Sequence, residues 1–221
     1  MKKLVIWDFD GVIADSESVW MMNRQKSINE KFNLHFNFKT FVHHFDSMSD
    51  ELKRETLLKM GYKTSDNFWK QQQKIDRAYM RNYGLDLIKG VKSLIPLTRH
   101  CIATGDVRAK TLLKLKSVGL WNTLFNKSNL FTGDMVKETK PAPDVFLYAM
   151  EQMNEKPKNC IIIEDSVNGV IAAQKAKVDV IAFVGNKMYR NNQEHLEQLK
   201  KLKVKYICSN MKEVKSVLLG C

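Results

Sequence analysis

The chain is expected to be an α/β protein: a doubly wound parallel sheet into which a small α-helical cap domain is inserted. Three observations predict it. Five short runs rich in β-branched or aromatic residues, Leu4 to Asp8, Cys101 to Thr104, Cys160 to Glu164, Val180 to Val184 and Tyr206 to Cys208, have the length and composition of strands. Most are followed by helical spacing, clear in Leu112, Leu115 and Gly119, in Val145, Ala149 and Met153, and in Val167, Ile171 and Gln174. Strands alternating with helices build a parallel sheet covered on both faces. Between Ser16 and Leu87 the strand signal disappears, and helices are expected at roughly 16–32, 49–60 and 66–83, with Phe68, Ile75 and Tyr79 as a partial apolar stripe in the last. A helical block inserted after the first strand must fold as its own small bundle. The domains are therefore expected at 1–15 with 88–221 for the α/β core, and 16–87 for the helical cap.

Composition narrows the function. A chain of 221 residues with 44% hydrophobic and 27% charged residues suits a globular protein with a sizeable core. No run of about 18 apolar residues is present, so no membrane span is expected. The opening Met-Lys-Lys-Leu-Val-Ile-Trp meets Asp8 too soon for a signal-peptide apolar region, which predicts a cytoplasmic protein. Cys101, Cys160, Cys208 and Cys221 show no C-x-x-C spacing, and the first three lie in apolar runs where cysteine acts as a small hydrophobe. The five histidines lack zinc-ligand spacing. A formal net charge of +12 fits a nucleic-acid partner or a field that attracts anionic substrates. The lysines are spread along the whole chain, which favours solvated faces over a nucleic-acid patch.

The chemistry gathers at the ends of the predicted strands. The first ends in Asp8-Phe9-Asp10-Gly11-Val12, followed by Asp15-Ser16. Ligands of open parallel sheets collect at the carboxyl ends of the strands, so both carboxylates would reach the mouth of the sheet. A bend at Gly11 would turn the Asp8 carboxylate and the Asp10 backbone carbonyl towards one hard cation; taken alone, D-x-D-G is equally an acidic turn. Thr104-Gly105-Asp106 ends the second run and offers a hydroxyl and a backbone N–H to phosphate oxygens, or is only another turn. Lys140 stands before Pro141-Ala142-Pro143-Asp144 at a helix start, where a plain surface lysine is the simpler reading. Glu164-Asp165-Ser166 ends the most apolar run, with Ser166 placed to cap the following helix. Several carboxylates at one mouth repel and raise one another's pKa unless a divalent cation and a lysine compensate.

These four motifs, in this order, resemble the haloacid dehalogenase-like hydrolases, in the branch with a helical cap after the first motif. The resemblance covers nearly the whole chain, and the stretches Leu130-Phe131-Thr132-Gly133 and Lys140 to Asp144 are most similar to the sugar-phosphate phosphatases and β-phosphoglucomutases of that branch. It implies a Rossmann-like core, an Mg²⁺ cofactor and a small phosphorylated metabolite as substrate: a sugar phosphate, sugar-acid phosphate or phosphoglycolate. It further implies that Asp8 is the nucleophile and Asp10 the acid and base. Thr104, Gly105 and Lys140 would bind phosphate; Asp8, the Asp10 carbonyl and Asp165 would bind the metal, with Glu164 outside them or linked through water. The chain departs from the pattern at Gly105, often asparagine in relatives, and in the cap. There Ser47 occupies a usual glycine position, and Asp50 stands where phosphomutases carry an arginine for the distal phosphate. Ser47 and Asp50 are the cap candidates for substrate contact, and Asp50 favours a phosphatase over a mutase. A basic binding protein is the reading from another class, but it has no need of four such strand ends.

Overall fold

The computed structural model describes residues 2–46 and 48–220. They form two compact units, Met1–Asp15 with Leu85–Cys221, and Ser16–Gly84. The first is a six-stranded parallel sheet with helices, in the order β3-β2-β1-β4-β5-β6. Its strands are β1 (Leu4–Trp7), β2 (His100–Ala103), β3 (Leu130–Phe131), β4 (Cys160–Glu164), β5 (Asp179–Phe183) and β6 (Tyr206–Cys208). Every residue of β1 and β4 is buried, as expected for central strands covered on both faces. Leu4, Ile6, Ile162, Ala103 and Val180 form one core layer with Phe146, Ala149 and Val170 of the helices. Cys101, Cys160 and Cys208 are buried free thiols within the strands, while Cys221 lies outside the described residues. Among the described residues no helix is long and apolar enough to cross a membrane.

The helices of this unit that bear on the site are α6 (Arg108–Ser117), α7 (Asp144–Gln152), α8 (Val167–Lys175) and α9 (Gln193–Lys201), with α5 (Val91–Leu94) and α10 (Met211–Leu219) completing the set. The sheet reverses its winding between β1 and β4. That reversal opens a crevice at the carboxyl ends of these two strands, the usual ligand position in such sheets. Two details differ from the sequence expectation. Strand β3 is only two residues long, too short to announce itself by composition. The helical unit ends at Gly84 rather than at 87, because Asp86 O accepts from Asp15 N and Ile88 N donates to Ile13 O, tying the return segment to the first unit.

The helical unit contains α1 (Ser16–Phe32), α2 (Phe38–Phe45), α3 (Asp50–Lys59) and α4 (Asp66–Tyr83). Asn37, Ser49 and Ser65 cap the last three with their side chains. Helix α2 was not expected; its buried Phe41, Val42 and Phe45 make only one turn of apolar pattern. The expected stripe of α4 is also corrected: its buried residues are Trp69, Gln72, Asp76 and Met80, and Ile75 is exposed. The reason is electrostatic. Arg24 of α1 is buried and donates to Asp76 Oδ2 at 2.5 Å and to both Asp50 oxygens at 3.1 Å, while Asn23 donates to Asp76 Oδ1 at 3.0 Å. An inward face built on Asp76 and Gln72 is invisible to an apolar period. Removing one member of a buried ion pair leaves the other charge uncompensated. Arg24→Ala should therefore destabilise the protein by about 3 kcal/mol in urea unfolding; a loss near zero would show that the network contributes little.

Candidate active site

Strand register alone brings the first two acids together. Trp7 pairs with Ile163, so Asp8, the next residue, emerges beside Glu164 at the end of β4. Asp165 follows, and one carboxylate oxygen from each of Asp8, Glu164 and Asp165 lies within 4.8 Å of the others; all three residues are buried. Lys140, supplied by the segment between β3 and α7, puts its ammonium 2.6 Å from Asp8 Oδ1 and 2.6 Å from Glu164 Oε1, above the Phe146 ring. The other oxygen of Glu164 accepts from the Ser166 amide at 2.9 Å and hydroxyl at 3.0 Å, and that hydroxyl caps α8 by accepting from Gly169 N. Both Glu164 oxygens are thus met by protein donors. Asp165 Oδ2 accepts from Asn186 Nδ2 at 2.9 Å, and the same amide nitrogen donates to Gly11 O at 3.2 Å. His195 Nε2 lies 2.8 Å from Asp165 O.

Two glycines are fixed by this crowding. Gly11 has φ +70°, and a Cβ there would fall 1.8 Å from Asp165 Oδ2. A Cβ on Gly169 would fall 1.9 Å from Glu164 Oε1, so only glycine lets α8 approach this carboxylate.

Electrostatics shows what the cluster lacks. Burial, together with the charges of Glu164 and Asp10, pushes the Asp8 carboxyl up to about 7 against the opposing pull of Lys140. Lys140 moves upward in turn: burial disfavours its charge, but the two carboxylates outweigh burial. The oxygen-only donor set and its excess negative charge fit a hard divalent cation such as Mg²⁺ and do not suit a soft metal.

The remaining expected residues of the first unit lie around the same mouth. Thr104 is buried at the end of β2, which pairs with β1, and its Oγ1 accepts from Asp106 N at 3.3 Å. Gly105 follows on the surface with nothing near its Cβ position, so no clash demands glycine there. The Asp10 carboxylate bonds through both oxygens to Lys114. In the helical unit, Asp50 directs its carboxylate to Arg24, and Ser47 lies outside the described residues. Lys114, Asp106 and Asn186 were not anticipated. The one available signal was that Lys114 immediately precedes Leu115, an inward position of the helix.

The buried Asp8 gives a signed pH effect. Its folded pKa lies above the ordinary carboxylate value, so its contribution to stability is fully present below about pH 4 and is lost as pH rises through about 7. Metal-free protein should lose stability between pH 5 and pH 8 by an amount on the order of a few kcal/mol, and Asp8→Asn should flatten that loss. Chemical denaturation at a series of pH values in chelator checks both; identical slopes for the two proteins would refute the assignment.

Comparisons with known proteins agree with this geometry. The haloacid dehalogenase-like hydrolase family model matches residues 5–183. A probable pseudouridine-5'-phosphatase of Drosophila melanogaster is 26% identical over 88% of this chain and 87% of its own length. A bifunctional riboflavin kinase/FMN phosphatase of Arabidopsis thaliana is 34% identical over 44% of this chain, which spans only 27% of that longer protein. Among solved structures, a haloacid dehalogenase-like protein of unknown function from Agrobacterium tumefaciens superimposes with a TM-score of 0.88, at 22% identity over 100% of this chain and 99% of that one.

Proposed function

We propose that this chain, which belongs to the haloacid dehalogenase-like hydrolases, is an Mg²⁺-dependent phosphatase that hydrolyses a small phosphorylated metabolite through an aspartyl-phosphate on Asp8. The sugar phosphates, sugar-acid phosphates and phosphoglycolate are the substrate classes put forward. The observation that carries this reading is the buried Asp8 carboxylate held by Lys140, beside Glu164 and Asp165, at the point where the sheet reverses.

In the proposed reaction an Asp8 oxygen attacks phosphorus as the P–O bond to the alcohol breaks, and Asp10 protonates the leaving oxygen. Asp10 then takes a proton from water, which attacks the phosphoryl group and frees Asp8. The Thr104 hydroxyl and Gly105 amide hold the phosphoryl oxygens, and Lys140 neutralises part of their charge. Asp8, Asp165 and the Asp10 carbonyl would hold Mg²⁺, which when bound supplies the positive charge that the acidic cluster and the phosphoryl oxygens require. Glu164 is assigned to Lys140 and Ser166 rather than to the metal, because both of its oxygens are already met.

Phosphatase is favoured over phosphosugar mutase by the fate of two charged groups. A mutase must grip a second phosphate. Asp50 is an acid, and the guanidinium of its partner Arg24 is turned to Asp50 and Asp76.

Sugar monophosphates should therefore release inorganic phosphate, with no efficient exchange between glucose 1- and 6-phosphates even with a bisphosphate primer. Primer-dependent isomerisation with little phosphate release would make the mutase the better reading. Asp8→Asn should lower turnover by at least about a thousandfold while the protein stays folded, since an amide cannot accept the phosphoryl group. In metal titrations, Asp165→Ala should raise the Mg²⁺ requirement more than Glu164→Ala; the opposite order would exchange their roles.

A further inference from the structure

Lys114 is the residue at the mouth of the sheet for which the four motifs give no reason. It lies on the inward side of α6 with Thr111 and Leu115, and its side chain is 0% exposed. An ammonium has three N–H donors, and three carboxylate oxygens surround this one: both of Asp10, with Oδ2 at 2.6 Å, and Asp106 Oδ2 at 2.5 Å. The Phe9 ring lies 5.5 Å from Nζ. Asp106 is fixed independently. It belongs to the loop that carries Thr104 and Gly105, its amide donates to Thr104 Oγ1, and Lys110 adds a second ammonium at 3.1 Å.

A buried ion pair is costly to desolvate, and an apolar residue of similar length packs the same space at no such cost. Stability alone is therefore a poor reason for a lysine at this position. What the ammonium does provide is geometry. A carboxylate at a turn rotates about two side-chain bonds; contact through both oxygens, with the cation itself anchored on Asp106, leaves Asp10 one orientation relative to the loop of Thr104 and Gly105. The pair also divides the work between two cations: Lys140 takes Asp8, and Lys114 takes Asp10.

We propose that Lys114, anchored by Asp106, is the positioning residue of Asp10, setting its carboxylate against the phosphate-holding loop so that it meets the leaving oxygen. The inference rests on the reading of Asp10 as the acid of the first step. Lys114 acts through Asp10, so its removal should mimic a weakened Asp10 and nothing else.

The test uses a pair of aryl phosphates, because the need for an acid grows as the leaving group becomes more basic. Phenyl phosphate loses a weakly acidic phenol and needs the proton; p-nitrophenyl phosphate loses a stable phenolate and needs it little. Comparing kcat/KM isolates the steps through departure of the alcohol, before water attacks. Lys114→Met keeps the length and packing of the side chain while removing the charge. With Mg²⁺ present, it should lose about tenfold or more in kcat/KM on phenyl phosphate and less than about threefold on p-nitrophenyl phosphate. Asp10→Asn should show the same discrimination with larger losses. Should charge imbalance prevent Lys114→Met from folding, the double variant Lys114→Met with Asp106→Asn removes both members of the anchor and should give the same pattern. Discrimination by Asp10→Asn but equal losses, or none, in a folded Lys114 variant would overturn the positioning role alone. No discrimination by Asp10→Asn would overturn the acid assignment and the inference with it.

Discussion

The first unit is organised by one constraint: carboxylates that belong in water are placed where water is scarce. Asp8, Glu164 and Asp165 are buried within a few ångströms of one another, and Asp10 follows close in sequence. Such a group is tolerable only with compensation from cations and N–H donors. The surroundings of the site supply it piece by piece. Lys140 bridges Asp8 and Glu164, Lys114 bridges Asp10 and Asp106, and Asn186 and Ser166 add hydrogen bonds to Asp165 and Glu164. Gly11 and Gly169 are the steric counterpart, since a methyl group at either would occupy the space of a carboxylate oxygen. What remains uncompensated is visible in the raised Asp8, and it has the sign and hardness that a divalent cation answers.

Much of this was legible in the sequence, because strand ends encode local chemistry. Fully buried parallel strands read as continuous apolar runs, so the residue where each run stops marks the mouth of the sheet. Asp8, Thr104 and Glu164 were found in that way, and the strand register then brings Asp8 and Glu164 together. Lys140 was legible only through the resemblance to the family's third motif, since by itself it reads as a plain surface lysine. Lys114 was not legible. It reaches Asp10 across 104 residues of chain, and a lysine in a helix is counted as solvent-facing until coordinates turn it inward.

The helical unit was less legible for a related reason. Apolar periodicity detects a helix by the face it buries, and α4 buries Gln72 and Asp76 beside Trp69 and Met80. Its polar interior is matched by Arg24 from α1, a pairing distributed over 52 residues that no local window contains. Asp50, read from the sequence as a candidate for substrate contact, is engaged in the same network. Length misled in two other places. A two-residue strand such as Leu130–Phe131 and an eight-residue helix such as Phe38–Phe45 hold too few positions to establish a period.

The strand order has a consequence for how the molecule comes to exist. Strand β1 lies at the centre of the sheet, yet its neighbours are β2 and β4, which occur far later in the chain. During synthesis Leu-Val-Ile-Trp therefore emerges as an apolar ribbon with both hydrogen-bonding edges open, and it waits through the whole helical unit before β2 is made, and longer for β4. Pairings of such long range close slowly. The helical unit, whose elements are contiguous in the chain, can collapse in the interval, while the first strand stays unpaired and open to misassociation. Asp8 thus follows a strand made well before either of its partners, in a site completed only when β4 and the Asn186 segment arrive.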